Sequence, residues 1–162
     1  MQGYLNKPEE TRNAIRNGWF HTGDFAHCDG EGWYYFDGRK KERIRRRGEN
    51  ISAWEVEKIA QGHPDVAVCA ALPYPSELGD DDVRLVIVLR AGSPLSHEQL
   101  MDWLQPRMPY FMLPRYVEFL PELPLTPTKK VQKHVLIEHG LYPDAWDRED
   151  RGYRIIRPER SA

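Results

Sequence analysis

Two apolar runs constrain the fold of this 162-residue chain more than any other feature. Val66–Leu72 and Val83–Leu89 consist almost entirely of small apolar and branched residues, without regular polar alternation. Such runs are typical of strands that are buried on both faces, so we expect a sheet covered on each side. The acidic segment Gly79–Asp82 lies between the runs and predicts the turn that joins them.

Helix signals flank these strands. Ser52–Glu55 and Ser96–Gln99 both have the spacing of a capping box, in which two side chains satisfy free backbone amides at a helix start. Gly62 ends the first predicted helix and Pro106 ends the second.

A third strand and a last helix complete the predicted order. Tyr116–Leu120 has the composition of a strand, and a weaker helical pattern covers Val131–His139 after a proline-rich loop. The order of elements predicts an α+β fold with a small sheet of about three strands flanked by helices. Residues 141–162 are predicted to be a mobile or surface-hugging tail.

The first 38 residues have a different character. Residues 8–18 predict a short helix, Trp19–Thr22 predicts a strand, and Asp29–Gly32 predicts the turn of a hairpin that continues into Trp33–Phe36. This β-rich segment has no large hydrophobic partner of its own. We therefore expect it to be the edge of a domain whose remainder lies elsewhere.

Composition excludes two broad classes. No apolar run approaches the roughly 18 residues of a membrane-spanning helix, and residues 1–8 have neither the basic start nor the apolar stretch of a secretory signal. Cys28 and Cys69 are too few for a disulfide scaffold. We expect a cytoplasmic protein with reduced thiols and no membrane span.

Seven cations lie within the nine positions 39–47, although the net charge is only −2. This basic stripe comprises Arg39, Lys40, Lys41, Arg43, Arg45, Arg46 and Arg47. It is typical of an anionic ligand site or a docking surface, and equally of a solvated edge. A nucleic acid would also attract such cations, but no aromatic residues are interleaved with them and no nucleic-acid-binding signature accompanies them. We expect no nucleic acid partner.

Three segments carry residues suited to nucleotide chemistry. In Gly18–Asp24, a carboxylate on a tight bend can accept hydrogen bonds from both hydroxyls of a ribose, although an aspartate after glycine is also an ordinary turn residue. The predicted hairpin returns Arg39 beside Asp24, where the two side chains can bracket one nucleotide. In Pro121–Lys133, prolines stiffen a loop that can present a lysine to developing phosphate charge, although such lysines are often simply exposed.

Together, Gly18–Asp24, the pair Gly38 and Arg39, and the Pro-x-Thr-x-Thr-x-Lys loop at 124–130 resemble the C-terminal part of adenylate-forming (AMP-binding) enzymes, over about residues 3–140. This family includes acyl-CoA ligases. The resemblance implies an acid–thiol ligase: a carboxylic acid attacks ATP, with Mg²⁺, to give acyl-AMP and pyrophosphate, and the thiol of coenzyme A (CoA) then displaces AMP. The ending Lys-Lys-Val-Gln-Lys and Trp146 resemble ligases of the crotonobetaine/carnitine-CoA type.

The resemblance implies roles for three residues near the start of the basic stripe. Asp24 holds the ribose hydroxyls, Arg39 also contacts the ribose, and Lys41 is the hinge about which a C-terminal lid rotates between the two half-reactions. Residues 1–38 are then the end of a large N-terminal AMP-binding domain, residues 39–140 the lid, and residues 141–162 a tail.

The remaining implied roles lie in the lid. The loop Gly48, Glu49 and Asn50 approaches the pantetheine arm of CoA after rotation, and the basic stripe beside it attracts the CoA phosphates. Lys130 bridges the reacting carboxylate and phosphate during adenylation. The family usually has glycine just before this lysine, whereas Lys129 stands there, so both lysines are candidates. Lys130 is favoured because a branched residue, Val131, follows it.

The phosphate loop and acyl pocket of the family lie upstream of Gly3 and Tyr4, so we expect the chain alone to be inactive. The alternative is a stand-alone, non-catalytic lid-like module that docks a partner through the basic stripe. The exposed surface on which a large domain would sit invites self-association, so both a monomer and a homodimer stay open.

Overall fold

The computed structural model describes residues 1–155. The chain divides into two units, Met1–Lys41 and Glu42–Ala162. The division falls directly after Lys41, the predicted hinge residue, which is exposed in a 3-10 turn over Lys40–Glu42.

The first unit contains one short helix and two small hairpins. Helix α1 spans Pro8–Ala14, and the strands are β1 (Ile15–Arg16), β2 (Trp19–Phe20), β3 (Asp24–Cys28) and β4 (Tyr34–Arg39). The helix is shorter than predicted because the chain turns back at Asn17 and Gly18, which both have positive φ, and β1 pairs with β2.

The β3–β4 hairpin is closed by one aspartate. The Asp29 carboxylate accepts hydrogen bonds from the Glu31 and Trp33 amides and from the Tyr35 hydroxyl. The Trp33 amide is the largest of several hydrogen-bonding causes that lower the pKa of this exposed carboxyl. The turn fixes the antiparallel register that runs from Cys28 opposite Tyr34 to Asp24 opposite Arg39.

The second unit is an α+β domain, as predicted. Its elements are β5 (Arg43–Arg46), β6 (Glu49–Ser52), α2 (Ala53–Gln61), β7 (Val66–Pro75), β8 (Asp81–Leu89), α3 (His97–Leu104), β9 (Tyr116–Phe119), α4 (Lys133–His139) and β10 (Trp146–Asp147). The main sheet has the order β10-β9-β8-β7, in which β8 and β9 are parallel and the other pairs are antiparallel.

Both faces of this sheet are covered. Successive residues of β8 alternate between two apolar clusters: Val83, Leu85 and Ile87 join the larger cluster with α2 and α3, whereas Val86 joins a smaller cluster with Leu136 of α4. Burial on both sides explains why the sequence of β8 shows no polar alternation.

The sheet has one strand more than predicted. Trp146–Asp147, in the segment assigned to a tail, pairs antiparallel with β9, and the Trp146 side chain is buried in the larger cluster. The ring of His97 stacks between Phe119 and Trp146, which fastens this segment to the sheet. Residues 156–162 of the predicted tail lie outside the described residues.

The two predicted capping boxes had different outcomes. Ser96 and Gln99 make both reciprocal hydrogen bonds at the start of α3, at 3.2 Å and 2.9 Å. Ser52 does occupy the N-cap position of α2, but its side chain makes no capping hydrogen bond. The capping box predicted at Ser52–Glu55 is therefore wrong, although the predicted helix is present.

The two cysteines differ in their exposure to solvent. Cys28 is exposed, whereas burial beneath α2 raises the pKa of the Cys69 thiol to about 12. The thiolate is the reactive form. We expect a disulfide reagent at pH 8 to modify one thiol of the native protein rapidly and the second only with unfolding. Mass spectrometry would assign the fast site to Cys28, and equal rates at both thiols would contradict this packing.

Over residues 1–155, no helix has the length and apolar character needed to cross a membrane.

Candidate functional site

The structure places Asp24 and Arg39 side by side. They are directly opposite each other in the β3–β4 register, and the Arg39 Nε lies 3.5 Å from an Asp24 carboxylate oxygen. The Arg39 side chain is 63% exposed and that of Asp24 is 32% exposed. The hairpin thus brings Arg39 beside Asp24, as the sequence predicted. The accessible ion pair offers acceptors and donors that suit the hydroxyls of a ribose.

A small loop presents Lys130. The Lys130 amide donates to Thr126 Oγ1 at 3.0 Å, and the Thr126 amide donates to the Lys130 carbonyl at 2.8 Å. The Gln132 amide closes the base of the loop on the Pro124 carbonyl, also at 2.8 Å. The Lys130 side chain is exposed, so the loop fixes the backbone of Lys130 and leaves its amine accessible.

The neighbouring Lys129 has an unusual backbone. Its φ is 60°, in the left-handed region that glycine adopts without steric cost and that lysine rarely adopts. This is the position at which the resemblance places a glycine. Lys129 therefore keeps the conformation of a glycine turn, and Lys130 follows it directly, paired with Thr126 across the turn.

A two-residue turn carries the predicted CoA-proximal loop. Arg47 and Gly48 both have positive φ, at 51° and 84°, and they connect β5 to β6. This is the pattern of a type I′ hairpin turn, whose twist matches that of the strands. Glu49 and Asn50 follow as the first residues of β6, and the whole Gly48–Asn50 segment is exposed.

Two carboxylates hold this hairpin from the side. Asp80 accepts the Arg47 amide at 2.6 Å, and Asp81 accepts the Arg45 amide at 3.0 Å. Hydrogen bonds from Ser76 and from the Arg47 amide lower the pKa of Asp80, so the carboxylate that grips the turn is charged at neutral pH. The acidic segment 79–82 thus anchors the β5–β6 hairpin as well as the β7–β8 turn.

The basic stripe is not a continuous exposed surface. Strand alternation turns Ile44 and Arg46 inward, and Arg46 is only 3% exposed. Its guanidinium pairs with Asp82 at 3.1 Å and donates to the Phe111 and Leu113 carbonyls. Of the seven cations, Arg46 is therefore a core residue and contributes no accessible charge to a docking surface.

An ion-pair cluster beside the Lys130 loop was not predicted. The Lys133 ammonium contacts the carboxylates of both Glu42 and Glu57. Glu57 also accepts the Ala71 amide of β7. These acids are distant from Lys133 in sequence, so no local pattern reveals the cluster.

Comparisons with known proteins show which sequences this chain resembles. Residues 55–130 match the family model described as the AMP-binding enzyme C-terminal domain. The chain is 38% identical over 133 residues to a feruloyl-CoA synthase of Amycolatopsis sp and 37% identical over 134 residues to a crotonobetaine/carnitine–CoA ligase of Proteus mirabilis. Each match covers 82% of this chain, but only 27% and 26% of those proteins.

Solved structures with a similar fold are also known. The o-succinylbenzoate CoA synthetase of Bacillus subtilis, solved with its acyl-adenylate intermediate, superposes with a TM-score of 0.79 at 28% identity. The match covers 91% of this chain and 29% of that structure. The chain therefore spans little more than a quarter of the length of the relatives that it matches.

The motif order, the α+β fold and the relatives lead to one assignment. The chain belongs to the family of adenylate-forming, AMP-binding enzymes and carries the C-terminal domain of that family.

Proposed function

We propose that this chain is the C-terminal part of an ATP-dependent acyl-CoA ligase and supplies its hinge and its catalytic lysine. The observation that carries the proposal is the loop that presents Lys130. A glycine-like backbone at Lys129 and paired hydrogen bonds to Thr126 hold the loop in one conformation, while the ammonium is free to reach a substrate.

Each half of the chain has its own task in this proposal. Asp24 and Arg39 grip the ribose of ATP or AMP through hydrogen bonds to its hydroxyls. Lys130 places a positive charge between the attacking carboxylate and the α-phosphate, where negative charge accumulates during adenylation. The product of this step is acyl-AMP, and pyrophosphate leaves.

The second step uses the β5–β6 turn. Rotation about Lys41 brings the Gly48–Asn50 segment to the pantetheine arm of CoA, whose thiol displaces AMP. Because Gly48 has no side chain, the pantetheine arm can pass close to the backbone of the turn. The exposed cations of the stripe, such as Arg43, Arg45 and Arg47, attract the phosphates of CoA.

Mg²⁺ enters this proposal only with ATP. No group of three or more His, Cys, Asp or Glu side chains within residues 1–155 is arranged to hold a metal ion. The phosphates of ATP and the rest of a longer protein would have to provide its ligands. In this proposal the residues of this chain stabilise developing negative charge and position the substrates.

The first unit supports a role inside a larger domain. Among residues 1–41 only Gly38 is buried, while Trp19, Trp33 and Tyr34 are 77%, 66% and 80% exposed. Large aromatic side chains contribute most when they are buried. A segment with this surface and no core of its own fits the edge of a large AMP-binding domain, which supports the expectation that the chain alone is inactive.

The test is a chimera in which this chain replaces the matching C-terminal segment of the Amycolatopsis feruloyl-CoA synthase. We expect the chimera to form feruloyl-CoA from ferulate, ATP and CoA, and the isolated chain to form none. A soluble, folded chimera that forms neither acyl-AMP nor thioester would contradict the proposal. That result would favour the alternative of a non-catalytic lid-like module.

A further inference from the structure

Lys133 lies at the centre of a partly enclosed ion-pair cluster. It is the first residue of α4, three positions after Lys130. Its ammonium contacts Glu42 and lies 2.8 Å from Glu57, and the side chains of Lys133 and Glu57 are only 20% and 19% exposed. Charge pairs shielded to this degree are screened less by solvent and salt than surface pairs.

The cluster joins three separate parts of the second unit. Glu42 directly follows the proposed hinge residue Lys41, Glu57 is in α2, and Lys133 follows the Lys130 loop. The second Glu57 contact, to the Ala71 amide at 2.8 Å, fastens the cluster to the main sheet. Burial raises the pKa of Glu57, and Lys133 opposes that rise, so the lysine favours the charged carboxylate.

Other contacts hold α4 at Leu136, its fourth residue. The buried Arg84 guanidinium donates to the Leu136 carbonyl at 2.7 Å, and the Leu136 side chain packs on β7 and β8. At the junction between the loop and the helix, Val131 is partly buried against the same apolar cluster. At that junction, Lys133 is the side chain with ion pairs to the rest of the unit among the described residues.

We propose that Lys133 is a positioning residue: its ion pairs with Glu42 and Glu57 hold the Lys130 loop in register with the segment that follows the hinge. When the second unit rotates, the loop then moves with Glu42 as one rigid part, and Lys130 arrives at the reacting phosphate in a fixed place. This inference rests on the proposed function for its catalytic consequence only. The mechanical link itself is a property of the isolated chain.

The mechanical link is tested first on the full chain by hydrogen–deuterium exchange. We expect Lys133→Met to speed exchange of residues 124–132 by about tenfold or more, since the amides of Lys129, Lys130 and Gln132 open with the loop. The β7 and β8 peptides should exchange as in the wild type. Glu42→Gln provides a second variant with the same expected pattern, and Lys58→Met is the matched control for loss of an exposed lysine.

The catalytic consequence is tested in the feruloyl-CoA synthase chimera. We expect Lys133→Met to lower adenylation by about 10–100-fold through misplacement of Lys130, with thioester formation from supplied feruloyl-AMP unchanged. Lys133→Arg, which keeps the charge, should recover most of the activity. An equal loss in both half-reactions, or full adenylation despite a loosened loop, would overturn the positioning role.

The two tests separate this inference from the proposed function. Wild-type exchange in the 124–132 segment of both Lys133→Met and Glu42→Gln would overturn the link, whatever the chimera does. A wild-type chimera without adenylation would instead contradict the proposed function and leave the exchange result to decide the link.

Discussion

Lys130→Ala in the chimera is expected to lower acyl-adenylate formation by about 10²–10³-fold, the usual effect of removing one preorganised group that stabilises charge in a transition state. Thioester formation from supplied feruloyl-AMP should stay near the wild-type rate, because the proposed mechanism gives the Lys130 loop no part in the second step. Pyrophosphate release would measure the first half-reaction, and consumption of the CoA thiol would measure the second.

Lys129→Gly is the matched control. It removes an amine from the same loop and relieves the left-handed strain of φ 60°, since glycine adopts that conformation freely. We expect the adenylation rate of this variant to match that of the wild type. If Lys129→Gly lost adenylation and Lys130→Ala kept it, the assignment between the two lysines would be reversed. An equal loss of both half-reactions in Lys130→Ala would contradict a role confined to adenylation.

Local signals were sufficient for much of the fold. The apolar runs predicted β7 and β8, and the Ser96–Gln99 spacing predicted the start of α3, because these features depend on neighbouring residues in the chain. The turn and the second strand of the β3–β4 hairpin were predicted, but its first strand is Asp24–Cys28, and the predicted strand at Trp19–Thr22 pairs with β1 instead. The register of the hairpin then brought Asp24 and Arg39 together, so one half of the candidate site followed from the sequence.

Features that depend on distant residues were missed. The basic stripe looked uniformly exposed, but Arg46 turns inward to Asp82 and to carbonyls that come 65 and 67 residues later in the chain. The strand at Trp146–Asp147 is two residues long, and it forms only because β9 offers an open edge. The pairing of Lys133 with Glu42, 91 residues apart, likewise has no local signature.

The pairing of two deeply buried charges in the second unit was not predicted either, because the two residues are distant in sequence. Arg84 interrupts an apolar run, and its side chain pairs with Glu118 at 2.5 Å, with exposures of only 1% and 2%. We expect Arg84→Met to destabilise the protein by about 3–5 kcal/mol, because the Glu118 carboxylate would remain buried without its partner. The Leu136 carbonyl would also lose its donor. Urea unfolding of the full chain, followed by tryptophan fluorescence, would measure the free energy of unfolding.

Two further variants separate charge burial from a general loss of packing. The double variant Arg84→Met/Glu118→Leu removes both charges, so it should lose less stability than Arg84→Met, although the Tyr142 amide and the Leu136 carbonyl would still lack partners. Arg90→Met removes an exposed arginine whose side chain donates to the Pro64 carbonyl, and it should cost no more than about 1 kcal/mol. If the double variant were as unstable as Arg84→Met, an unpaired buried carboxylate would not be the main cause, and the unpaired Leu136 carbonyl and Tyr142 amide would account for the loss.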